Sequence, residues 1–167
     1  SAQQEQKIAV LIHLNPSDKP LILNGIKIAS IFKKELTLVY RTSKKDAKNQ
    51  TRIKQNLHEY LVPVKKEIPG LKTSSLLISA PLQEMPGMLA DDFEVIMLIA
   101  KAEDFRHYSK AATESPVPFL FVNPEAVVSS FSKIVLPVDI RKGNSDGALW
   151  SSWFGRFNRA EIVVIAA

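Results

Sequence analysis

The sequence contains no cysteine. That excludes disulfides, zinc–thiolate centres and a cysteine nucleophile, and it fits a reducing compartment, so a cytoplasmic location is expected. No apolar run approaches the roughly 20 residues a membrane-spanning helix requires, and the opening SAQQEQK has no secretory-leader pattern. Histidine is scarce. His13, His58 and His107 show no H-x-x-x-H or comparable metal-ligand spacing, so no metal is expected. Glycine is scarce as well, with none between Gly87 and Gly143. What remains is ordinary globular composition, 46% hydrophobic and 23% charged over 167 residues, enough to bury a core without staples.

The net charge of +5 is concentrated in one place. RTSKKDAKNQTRIK, residues 41–54, carries six Lys/Arg against one Asp. A solvated loop leading into a helix accounts for it. A nucleic-acid footprint is disfavoured, because such surfaces interleave aromatics for base stacking and this segment has none.

Apolar patterning alternates between short runs and helical periodicity. KIAVLIHL (7–14), LTLVYR (36–41), SSLLISA (74–80), FEVIMLIA (93–100) and VPFLFV (117–122) read as buried strands. Between the first two, Ser17 or Asp18 can cap a helix with Leu21, Gly25, Ile28 and Phe32 on one face. After the second, Ile53, Leu57, Tyr60, Leu61, Val64 and Ile68 fall at helical spacing, closed by Pro69-Gly70, with Pro63 expected to kink or divide the helix. Residues 85–92 form a short helical or turn connection, and 104–114 a short helix. This order predicts an α/β fold: a doubly wound, five-stranded parallel sheet with helices on both faces and its ligand crevice at the carboxyl ends of the strands.

The opening pattern then recurs. KIAVLIHL begins at Lys7 and KIVLPVDI at Lys133; ELTLVYR begins at Glu35 and EIVVIAA at Glu161, so both pairs are 126 residues apart. Two strand matches at one offset point to an internal repeat. The expected organisation is a complete domain over 1–124, a linker over 125–132, and the strand–helix–strand opening of a second copy over 133–167. Trp150, Trp153, Phe154 and Phe157 crowd one arc of the last helix. A strand–helix–strand unit cannot bury that stripe and both faces of its strands alone, so it must pack on the first domain or on another chain.

Element order, the Val-Asp ending of KIVLPVDI, the small-and-aromatic helix NSDGALWSSWF and the Pro-preceded VPFLFV together resemble the universal stress protein family in its tandem form, with the second domain incomplete. The resemblance implies the strand order 3-2-1-4-5, adenine contacts near the opening-strand Asp and a glycine-rich phosphate segment after strand four. Glycines suit such a segment because backbone N–H groups must close on phosphate oxygens. Here AKAEDFRHYSKAATESPVP follows strand four, with Glu103 and Asp104 where phosphates would lie. His13 occupies the first copy's position for that Asp, and Asp139 keeps it in the second.

The expected role is therefore a non-catalytic, stress-associated regulatory or binding module without catalytic residues. Its first domain is expected not to bind ATP, and no cofactor is expected. Candidate ligand contacts are His13 and Asp139. The resemblance also implies a homodimer through strand five, at Phe119, Leu120, Phe121 and Val122, alongside an unidentified protein partner and no membrane. Two alternatives stand beside this reading. One is an ATP-binding protein or weak ATPase completed by a second domain or dimer partner; the other is the cytosolic regulatory domain of a transporter.

Three other features have simpler readings. Gly143-Asn144-Ser145-Asp146-Gly147 matches G-x-S-x-G, but no His follows to serve as base, so Ser145 and Asp146 read as helix caps. Asp91-Asp92 reads as a cap or turn. His58 and His107 read as solvated helix residues.

Overall fold

A computed structural model describes residues 5–123 and the strand residues 133–138 and 161–166. The chain runs β1 (Lys7–Leu11), α1 (Asp18–Phe32), β2 (Glu35–Arg41), α2 (Gln50–Glu67), β3 (Thr73–Ile78), α3 (Met85–Phe93), β4 (Val95–Lys101), α4 (Phe105–Glu114), β5 (Phe119–Val122), β6 (Lys133–Val138) and β7 (Glu161–Ala166). Short 3-10 turns at Lys44–Asp46 and Ala102–Asp104 precede α2 and α4.

The strands β3-β2-β1-β4-β5 form the expected parallel sheet in the expected order. Alternate residues of the central strands supply two cores because successive side chains point to opposite faces. Ile8, Val10, Leu36, Leu38, Met97 and Ile99 pack with α1 and α2. Ala9, Leu11, Val39, Leu98, Ala100, Phe119 and Phe121 pack with α3 and α4. Between β1 and β4 the register passes from Lys7↔Val95 to Ile8↔Met97. Ile96 is the extra residue, a bulge that re-phases β4 so both cores stay filled.

The sheet does not stop at five strands. β6 lies antiparallel on β5 and β7 parallel on β6, giving seven. The orientation follows from the connection, since an antiparallel neighbour needs only a short link while a parallel one needs a long crossover. β6 and β7 pair from Lys133↔Glu161 to Leu136↔Val164 and beyond. That is the β1–β2 register, Lys7↔Glu35 to Val10↔Leu38, moved along by the sequence offset.

Two local expectations change. Pro63 does not divide α2, which runs through it to Glu67. Pro63 is exposed, so the helix carbonyl left without a donor can turn to water. The first strand ends at Leu11, earlier than expected. Ile12 N still donates to Val39 O at 2.8 Å, after which the chain leaves the sheet.

Candidate functional site

The carboxyl ends of β1 and β4 are joined through the loop between β1 and α1. Leu14 adopts a left-handed conformation, φ 61°, which turns the chain sharply. The Asn15 side-chain oxygen then accepts from Ser17 N at 3.1 Å and Ser17 Oγ at 2.6 Å, a local Asx-type turn that holds Pro16 between them. Ser17 is the residue before the helix, but its side chain caps nothing.

Asp18, the first residue of α1, bonds backward instead of into its own helix. It is fully buried. Its Oδ1 accepts from His13 N at 3.2 Å and lies 3.0 Å from Lys101 Nζ. Its Oδ2 accepts from Asn15 N at 3.1 Å and from the Tyr60 hydroxyl of α2 at 3.2 Å. Each carboxylate oxygen thus has two donors, close to full capacity.

Lys101, the last residue of β4, is the matching cation. Its side chain is 1% exposed, and its Nζ also donates to Asn15 Oδ1 at 2.9 Å. Burial and the neighbouring Asp18 carboxylate push the Tyr60 hydroxyl up to about 12. The group is a closed network, Lys101–Asp18–Asn15–Tyr60, that ties the ends of β1 and β4 to α1 and α2.

His13 stands at the outer rim of this network. Its Nε2 lies 2.9 Å from Asp104 Oδ2, with both side chains partly open to solvent. A carboxylate can only accept, so this contact places a proton on Nε2. The ring stacks on Tyr108 of α4, centroids 6.4 Å apart. Burial, then the nearby Asp104 carboxylate, raises the Tyr108 hydroxyl well above its ordinary value.

The expected site residues are therefore dispersed. His13 lies just beyond the carboxyl end of β1, and Asp104 turns toward it. Asp139 lies outside the described residues, as do Ser145 and the tryptophan stripe. Phe119, Leu120, Phe121 and Val122 are wholly buried. The β5 edge expected to meet a second copy of the chain is paired to β6 of the same chain, through Phe119↔Val135, Leu120↔Ile134 and Phe121↔Lys133. Asp91 and Asp92 are exposed on α3, and no cluster able to hold a metal occurs among the described residues. His58 and His107 are exposed on α2 and α4.

Sequence reasoning missed Lys101 and the second role of Asp18. A signal for the first was present: a lysine directly after the apolar run VIMLIA is positioned to be drawn inward if a carboxylate waits there. Nothing in the sequence said that Asp18, 83 residues earlier in the chain but adjacent in the fold, would be that carboxylate.

Among the described residues no helix is long and apolar enough to cross a membrane. No protein-family model matches the chain, and no curated protein does. A solved structure of a universal stress protein in complex with cAMP is similar in fold: TM-score 0.55, 14% identity, covering 74% of this chain and 100% of that one. At that identity the likeness is one of architecture, and the architecture of the chain is the universal stress protein-type α/β fold.

Proposed function

We propose that this chain is a non-catalytic regulatory or binding module of the universal stress protein type, and that the crevice of residues 5–123 does not hold ATP. The observation that carries this reading is the buried Lys101–Asp18 pair. The cation at the end of β4, Lys101, is already committed to an internal carboxylate and an amide oxygen. After β4, Glu103 and Asp104 present negative charge, and no glycine allows backbone N–H groups to converge on an anion. A polyphosphate entering there would face repulsion and would have to break a desolvated ion pair.

Isothermal titration with magnesium–ATP tests the reading. No binding at micromolar nucleotide is expected, and micromolar or tighter affinity would overturn it. A second reading is nucleotide binding, favoured by the cAMP complex of the structurally similar protein. Titration of cAMP against the chain and against His13→Ala separates the two. Binding that disappears in the variant would assign the rim of the crevice to a cyclic nucleotide, and absence of binding supports the closed-crevice reading.

A further inference from the structure

The geometry points to a docking edge on β3 for an extended, acidic peptide segment of a partner protein. β3 ends the sheet: it pairs with β2 from Leu36↔Thr73 to Arg41↔Ile78, and its other side has no partner among the described residues. Such an edge offers a row of backbone donors and acceptors to an incoming strand. Protein edges are commonly blunted by charge, proline or a bulge. TSSLLI has no charge and no proline, and its pairing with β2 is regular.

Beside this edge, on the face covered by α2, lies a recess of about 420 Å3 lined by Thr42, Gln50, Lys54, Ser75, Leu77 and Ser79. The side chains of Gln50, Lys54, Ser75 and Ser79 have no hydrogen-bond or ion-pair partner among the described residues. They are polar groups available to a ligand at the floor and wall of the recess.

Charge selects the occupant. Lys44, Lys45, Lys48, Arg52 and Lys54 are all exposed, and none forms an ion pair among the described residues. The segment's one carboxylate, Asp46, is engaged by Ser43 N at 2.8 Å and by the Ser43 and Tyr40 hydroxyls. It keeps its negative charge beside Lys45, one anion against the six Lys/Arg of residues 41–54. A second copy of the chain would bring the same cations to the same edge and be repelled. A single-stranded nucleic acid would want aromatic faces to stack on, and none lines the recess. An acidic strand satisfies both features: its backbone pairs with β3, and alternate carboxylates face the cations while one side chain enters the recess. This inference does not depend on the crevice, so the nucleotide titrations leave it standing or falling on its own test.

The test uses the full chain, labelled with 15N, and a short peptide of alternating valine and glutamate. Saturable shifts confined to amides 73–79 and the start of α2 are expected. Affinity should fall at least tenfold in the double variant Arg52→Glu/Lys54→Glu, whose sites are exposed and whose fold is checked by circular dichroism. With the unaltered chain, added salt should weaken binding, and the same peptide N-methylated at alternate residues should bind at least tenfold more weakly. Equal binding of the N-methylated peptide, equal binding of a valine–lysine peptide, shifts mapping elsewhere, or tighter binding of oligothymidine than of the acidic peptide would each overturn the inference.

Discussion

Lys101 closes a strand whose other residues are apolar, and a lysine ammonium is expensive to desolvate unless it is paired and hydrogen-bonded. Here it has Asp18 at 3.0 Å and Asn15 at 2.9 Å. Removing one member of such a pair strands the other charge in the interior, at a typical cost of about 3–5 kcal/mol, whereas removing both together is often nearly neutral. Lys101→Met should therefore destabilise the chain by about that amount, and Asp18→Asn/Lys101→Met by clearly less than the two single changes combined. Chemical denaturation of the four proteins measures it. Additive losses would show that the two side chains contribute independently. The remaining bonds of Asp18, to His13 N, Asn15 N and Tyr60, also explain why Asn is the replacement to use, since its one carboxamide oxygen keeps part of the acceptor set.

Helix α1 approaches the sheet closely enough that one of its turns has no room for a side chain. A methyl group built on Gly25 would lie 2.4 Å from Val10 Cγ2 and 3.2 Å from Leu36 Cδ1. Glycine normally weakens a helix by about 1 kcal/mol relative to alanine, yet here the packing outweighs the propensity. Overpacking a filled core costs about 1–3 kcal/mol. Gly25→Ala should accordingly lower stability despite the better helix former, and pairing it with Val10→Ala should recover much of the loss. Thermal melts of both variants check this, and a stabilised single variant would show that α1 can move outward freely. In the sequence Gly25 reads as part of the apolar face with Leu21, Ile28 and Phe32, and that placement holds: Gly25 is buried with Leu21 and Ile28. The reason it must be glycine is invisible until β1 and β2 lie beneath it.

Across the whole molecule the three tyrosines share one behaviour. Burial and a neighbouring carboxylate raise each above the ordinary value near 10: Tyr40 beside Asp46, Tyr60 beside Asp18, reaching about 12, and Tyr108 beside Asp104. A raised folded-state value means the folded chain keeps its protons where the unfolded chain loses them. The contribution to stability is complete below pH 10 and is lost as pH rises from there towards 12. Tyrosinate absorbance should therefore appear at higher pH in the folded chain than in the chain unfolded by denaturant, and the melting temperature should fall steadily over that interval. Full tyrosinate absorbance near pH 10 with an intact circular dichroism spectrum would contradict it. The sequence by itself determined the succession of five buried strands and their covering helices, because strands and amphipathic helices carry different periodicities and each is bounded by its own turn residues. The β6–β7 register equals the β1–β2 register moved along by the same offset that separates the sequence matches. Only the tertiary structure decided that β6 would take the edge of β5 and that Lys101 would fold inward. Both outcomes depend on what stands opposite, an open row of backbone groups in one case and the Asp18 carboxylate in the other, and neither can be read from the local pattern of the residue it captures.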